Sequence, residues 1–91
     1  MANAGIIQER RSVRLKSFNI KLTSINDVKL FVATANDQGY EIDLVSGRYI
    51  IDAKSIMGIF SLDLAKPIRV EIHASDEEAA AFSNLVKKYT V

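Results

Sequence analysis

Ninety-one residues support one domain with a single core and are too few for two. Hydrophobic residues at 48% and charged residues at 25% match a globular chain, and a formal charge of +1 supplies no concentrated basic surface for nucleic acid. With no cysteine and one histidine, His73, the chain has no disulfide, no thiol nucleophile and no multi-histidine metal centre.

Residues 1–16 form a basic leader, with Arg10, Arg11, Arg14 and Lys16 concentrated there. It reads either as an arm that meets an anionic partner or as a plain lead into the first strand. From Ser12 to Leu22 apolar and polar residues alternate, as in a half-buried strand. The register of Val13 and Leu15 does not continue into Phe18, Ile20 and Leu22, so a bulge lies near Ser17 or pairing starts at about Ser17. The domain is taken as residues 17–91.

Ser24 is placed to cap a helix, with Asp27 three residues later facing the free N–H groups of the first turn. Val28, Phe31, Val32 and Ala35 then form one apolar stripe, and Gly39 reads as the left-handed residue that stops the helix. Tyr40, Ile42 and Leu44 alternate with Glu41 and Asp43 as a strand. Ser46-Gly47 signals a hairpin, and Tyr49, Ile51 and Ala53 carry the return strand.

Ile56, Ile59 and Phe60 are spaced for one face of a short helix after Ser55, and Pro67 ends that segment or begins the next. Ile68, Val70 and Ile72 alternate with Arg69, Glu71 and His73 in a fourth strand with one polar face. Ser75 and Glu78 make a capping box for a closing helix lined by Ala79, Phe82, Val86 and Tyr89. Its acids come first and Lys87 and Lys88 last, the order that complements the helix dipole. The expected class is α+β: a four-stranded antiparallel sheet with three helices on one face.

Little in this pattern supports catalysis. His73 points away from the core and has no G-x-S-x-G elbow near it. Asp76, Glu77 and Glu78 read as a solvated first turn, and there is no phosphate-cradling glycine loop. No nucleotide, metal or other cofactor is expected, and an enzyme is not.

Ser55 stands out. As a helix cap it would satisfy an N–H two or three residues on. Yet Ile56, Met57, Ile59 and Phe60 are more apolar surface than so short a helix buries on one side, leaving a docking patch. A phosphate on Ser55 would add about two negative charges at the positive end of that helix, on the rim of the patch. Lys54 could meet either that phosphate or an acidic partner.

The run A-K-S-I-M-G-I-F-S-L, Ala53 to Leu62, resembles the regulatory-serine region of HPr, the phosphocarrier of the bacterial sugar phosphotransferase system. The element order also resembles the HPr fold, an open-faced β-sandwich. The resemblance implies that Ser55 is the serine modified by HPr kinase/phosphorylase with ATP. It implies that Ile56, Met57 and Phe60 are the patch that meets phosphotransferase-system enzymes or the catabolite control regulator. No apolar run approaches the roughly 18 residues that cross a bilayer, and the amino terminus has no apolar core of signal-peptide length, so a cytoplasmic location is the expectation.

A phosphocarrier further needs a histidine in a G-x-H-A-R-P-like run where the first helix begins. Here that stretch reads L-T-S-I-N-D-V, Leu22 to Val28. The histidine slot falls at Ser24 or Ile25 and the arginine slot near Asn26, a degenerate relay region in which Asp27 would repel a phosphate. The expected function is therefore an HPr-like regulatory or adaptor protein, docking through the patch and switched at Ser55. The alternatives are a phosphocarrier using another residue, or an HPr-fold scaffold without phosphorylation.

Overall fold

The structure, a computed structural model, describes residues 16–91. The elements follow in the expected order: β1 (Lys16–Ile20), α1 (Ile25–Asn36), β2 (Glu41–Ser46), β3 (Tyr49–Asp52), α2 (Ile56–Phe60), β4 (Ile68–His73) and α3 (Asp76–Leu85), closed by a 3-10 turn at Lys87–Tyr89. The strands lie in the order β1-β4-β2-β3, each pair antiparallel.

Alternation along the strands decides which face is covered. Phe18, Val70 and Leu44 stand in one cross-strand row, and Ile72 and Ile42 in the next. These residues, with Ile20 and Ile68, turn toward the helices, where the core is completed by Val28, Phe31 and Ala35 of α1, Ile59 of α2, and Ala79 and Phe82 of α3. Phe31 sits at its centre, edge-on to Phe82 at 5.9 Å and to Tyr89 at 6.2 Å between ring centroids. Burial of such a side chain contributes roughly 1.5–3 kcal/mol. The other sheet face is uncovered among the described residues and carries Arg69, Glu71 and His73, as their alternation predicts.

The local signals at α3 hold. Glu78 N–H donates to Ser75 Oγ at 3.1 Å, and Ser75 N–H donates back to Glu78 Oε1 at 3.2 Å. Gly47, at φ 61, supplies the left-handed turn between β2 and β3.

Three details differ from expectation. Gly39 is not left-handed: α1 already ends at Asn36, with Asp37 in right-handed backbone whose N–H returns to the last carbonyls. α3 ends at Leu85, so Lys87 and Lys88 stand beyond it in the 3-10 turn. β1 begins at Lys16, which pairs with Ile72, one residue before the expected domain boundary. The rest of the leader and the register of Val13 and Leu15 lie outside the described residues. At the other end, Lys21 N–H donates to the Tyr89 carbonyl and Val91 N–H to that of Asn19, so the tail runs back along β1.

Candidate functional site

The chain leaves β3 at Asp52, whose carboxylate accepts the Lys54 N–H at 2.8 Å and whose carbonyl accepts the Ser55 N–H at 3.0 Å. This tight turn aims Ser55 at the first turn of α2. Ser55 is in extended backbone (φ −107, ψ 104), and its half-buried Oγ accepts the Gly58 N–H at 3.1 Å. The cap reading of Ser55 therefore holds, and it leaves the serine's own O–H to be donated elsewhere.

Gly58 is a spatial requirement of this turn. A β-carbon there would stand 2.5 Å from Ile51 Cγ2 and 3.1 Å from Ser55 Oγ. Only glycine lets α2 lie this close to β3 while holding the serine.

Lys54 is engaged elsewhere. Its ammonium donates to the Gln38 carbonyl at 2.9 Å, and its own carbonyl accepts from Asn36 Nδ2 at 3.3 Å. The lysine ties the turn before α2 to the end of α1.

The apolar residues of α2 divide by depth. Ile59 is buried and Ile56 is half-buried against the core, whereas Met57 is 76% and Phe60 41% exposed. Phe60 also lines a groove of about 510 Å³ with Leu64 and Ala65, facing Leu22, Ser24 and Ile25 across it. Two of the three degenerate relay positions, Ser24 and Ile25, are thus brought to Phe60. Asn26 and Ser55 do not line that groove.

Ile25 is the residue that sequence reasoning missed as apolar surface. It lies on the stripe of Val28 but one turn ahead of it, beyond the edge of the core, and is 64% exposed. A large apolar residue immediately after a helix cap was the available signal.

The start of α1 is anionic. Asp27 N–H donates to Ser24 Oγ at 3.0 Å, while Asp27 Oδ2 accepts from the Thr23 N–H at 3.1 Å and the Thr23 hydroxyl at 3.0 Å. Those Thr23 bonds, the backbone one foremost, hold the Asp27 carboxyl below its ordinary value. The single histidine is far along the chain, on the uncovered face of β4, with Nε2 2.9 Å from Asp43 Oδ2.

Residues 12–90 match the family described as "PTS HPr component phosphorylation site". The chain belongs to the HPr family. Among solved structures, HPr-C-His from Thermoanaerobacter tengcongensis matches at 26% identity and a TM-score of 0.64, covering 81% of this chain and 91% of that one. A phosphocarrier protein HPr from Bacillus anthracis str. Ames shares the fold at 24% identity, with a TM-score of 0.64 and coverage of 85% and 98%. A comparison with curated protein sequences gives no match. HPr proteins are phosphocarriers rather than enzymes and work by meeting other proteins of the phosphotransferase system, so a role tied to that system and to protein partners follows.

Proposed function

We propose that this HPr-family protein is a regulatory adaptor that docks protein partners through Met57 and Phe60 of α2, with Ile25 on the facing wall, and is switched by phosphorylation of Ser55. The observation that carries the reading is the exposure of Met57 and Phe60 within five residues of a capped serine. Large side chains left in water on a short, well-anchored helix form a preorganised contact, where aromatic and methionine anchors contribute most.

In the switching step, Ser55 Oγ attacks the γ-phosphorus of ATP and its proton passes to the kinase. An oxygen–phosphorus bond forms as the bond to ADP breaks. The ester places about two negative charges at the rim of the patch and changes which partners fit there. The kinase is HPr kinase/phosphorylase, and the partners are phosphotransferase-system enzymes or the catabolite control regulator. The degenerate start of α1 supports regulation over relay. Ser24, Ile25 and Asn26 replace the imidazole and the cation of a phosphocarrier, and the carboxylate of Asp27 stands where a phosphate would need positive charge.

The test is intact-mass analysis with site mapping after incubation with HPr kinase and ATP. One added phosphate at Ser55, absent in Ser55→Ala, is expected. An unmodified chain beside a fully modified phosphocarrier HPr would overturn the switch. Acid-labile phosphate acquired from the system's first enzyme would favour the phosphocarrier reading instead.

A further inference from the structure

β3 is an edge of the sheet, and among the described residues no strand pairs with its outer side. Ala53 N–H donates to the Ile42 carbonyl at 2.9 Å, which fixes the phase of the ladder. Tyr49, Ile51 and Ala53 therefore bond inward to β2. The N–H groups of Ile50 and Asp52 and the Ile50 carbonyl point outward. Such an edge is a template for another strand, and natural sheets blunt it with lysine, proline or a bulge. The strand reads Y-I-I-D, pairs with β2 without interruption, and has none of these devices. Tyr49 is instead 63% and Ile50 68% exposed.

The side chains along this edge are complementary to themselves. Leu44 and Ile51 turn toward the helices, so Val45 and Ile50 lie side by side on the uncovered face. An antiparallel copy of β3 centred on Ile50 sets Ile50 against Ile50 and makes one apolar row, Val45–Ile50–Ile50–Val45. The same register sets residue 48 opposite residue 52, which is Arg48 against Asp52, on both sides of the two-fold axis. Neither charge has an ion-pair partner among the described residues. One Asp52 oxygen accepts the Lys54 N–H, and the other is open to a cation. Asp52 also stands directly beside Asp43 of β2, a like-charge position that an incoming guanidinium relieves. Centring the pair on Arg48 or on Asp52 would oppose like charges, so the charges select the register.

We propose that a second copy of this chain adds to the β3 edge, as a two-fold antiparallel pair centred on Ile50 with Arg48 meeting Asp52 at each end. The two Ile50 residues exchange N–H to carbonyl bonds, and the two four-stranded sheets run on as one. Arginine suits the end positions because its planar fork matches a carboxylate. The interface is short, so the association is weak and depends on protein concentration.

Sedimentation equilibrium of the full chain, from micromolar to millimolar concentration, tests the pairing. A monomer–dimer equilibrium is expected. Arg48→Glu and Asp52→Arg should each weaken it on the order of tenfold, because both symmetric pairs turn from attraction to repulsion. An equimolar mixture of the two variants has opposite charges in every pair, as does Arg48→Glu/Asp52→Arg in one chain. Both should recover the original dimer, a rescue that a folding defect in Asp52→Arg cannot imitate. Ile50→Lys should abolish dimers while the chain stays folded in thermal melts, since that side chain is mostly in water in the monomer. A chain that stays monomeric throughout, or a dimer that neither charge reversal weakens, would overturn the proposal. Amide exchange gives an independent readout: protection of the Ile50 N–H should rise with protein concentration. Protection gained only on adding an unrelated extended peptide would assign the edge to a foreign strand and overturn self-pairing.

Discussion

Two helices of this fold begin on the same device and end up with opposite chemistry. Ser24 and Ser55 are both extended caps whose Oγ accepts the N–H three residues on, at 3.0 and 3.1 Å. In α1 the third residue is Asp27, whose carboxylate reaches back to Thr23 and fills the start of the helix with negative charge. In α2 the third residue is Gly58, which brings no charge and permits close packing on Ile51, and the first turn of α2 holds no acid. A cap alone therefore does not fix the charge of a helix start. What stands three residues later determines whether further negative charge is tolerated, and what lies beyond that, Met57 and Phe60 here, determines whether the charge has a neighbour to influence.

The sharpest way to break this contrast is Gly58→Ala. The added methyl meets the stiff side chain of Ile51, and a loss of about 1–3 kcal/mol in urea-unfolding stability is expected. Gly39→Ala, where nothing lies within 4 Å, should be neutral or slightly stabilising. Next come the caps themselves. Ser24→Ala and Ser55→Ala should each cost about 1 kcal/mol by the same measurement, within a range of about 0.5–2, but only Ser55→Ala should abolish kinase modification.

A subtler difference is in acid. Because the folded carboxyl of Asp27 is held below its ordinary value, its contribution is complete above that value and is lost as pH falls through the depressed one. Asp27→Asn should lower stability at neutral pH and flatten the stability profile below about pH 4, read by thermal melts across pH. The smallest effect on folding belongs to the patch. Met57→Ser should change stability by no more than about 0.5 kcal/mol, since the side chain is mostly in water. Titration calorimetry with a partner that uses the patch should show its affinity falling by about tenfold.

How much was readable in advance follows from how local each signal is. The capping box at Ser75 and Glu78, the turn at Gly47, and the alternation of Ile68, Val70 and Ile72 depend on neighbours within a few residues, and all were legible. The end of α1 was not. Its last turn is held by Asn36 and Gln38 meeting Lys54, eighteen and sixteen residues away, and such ties leave no periodic trace. For the same reason Lys54 read as a free cation beside Ser55, and Ile25 read only as a lost relay position until the groove placed it opposite Phe60.

The strand order carries a consequence for how the chain is made. β4 lies between β1 and β2 and bonds to both, yet it is the last strand to leave the ribosome, roughly half the chain after β1. Until it emerges, β1 has no partner among the described strands and β2 has only its hairpin with β3. Productive folding must therefore wait for nearly the whole domain and then close long loops at once, which makes it slow for a chain of this size. A nascent chain halted before Ile68 would present two open strand edges, the form of this protein most in need of a chaperone.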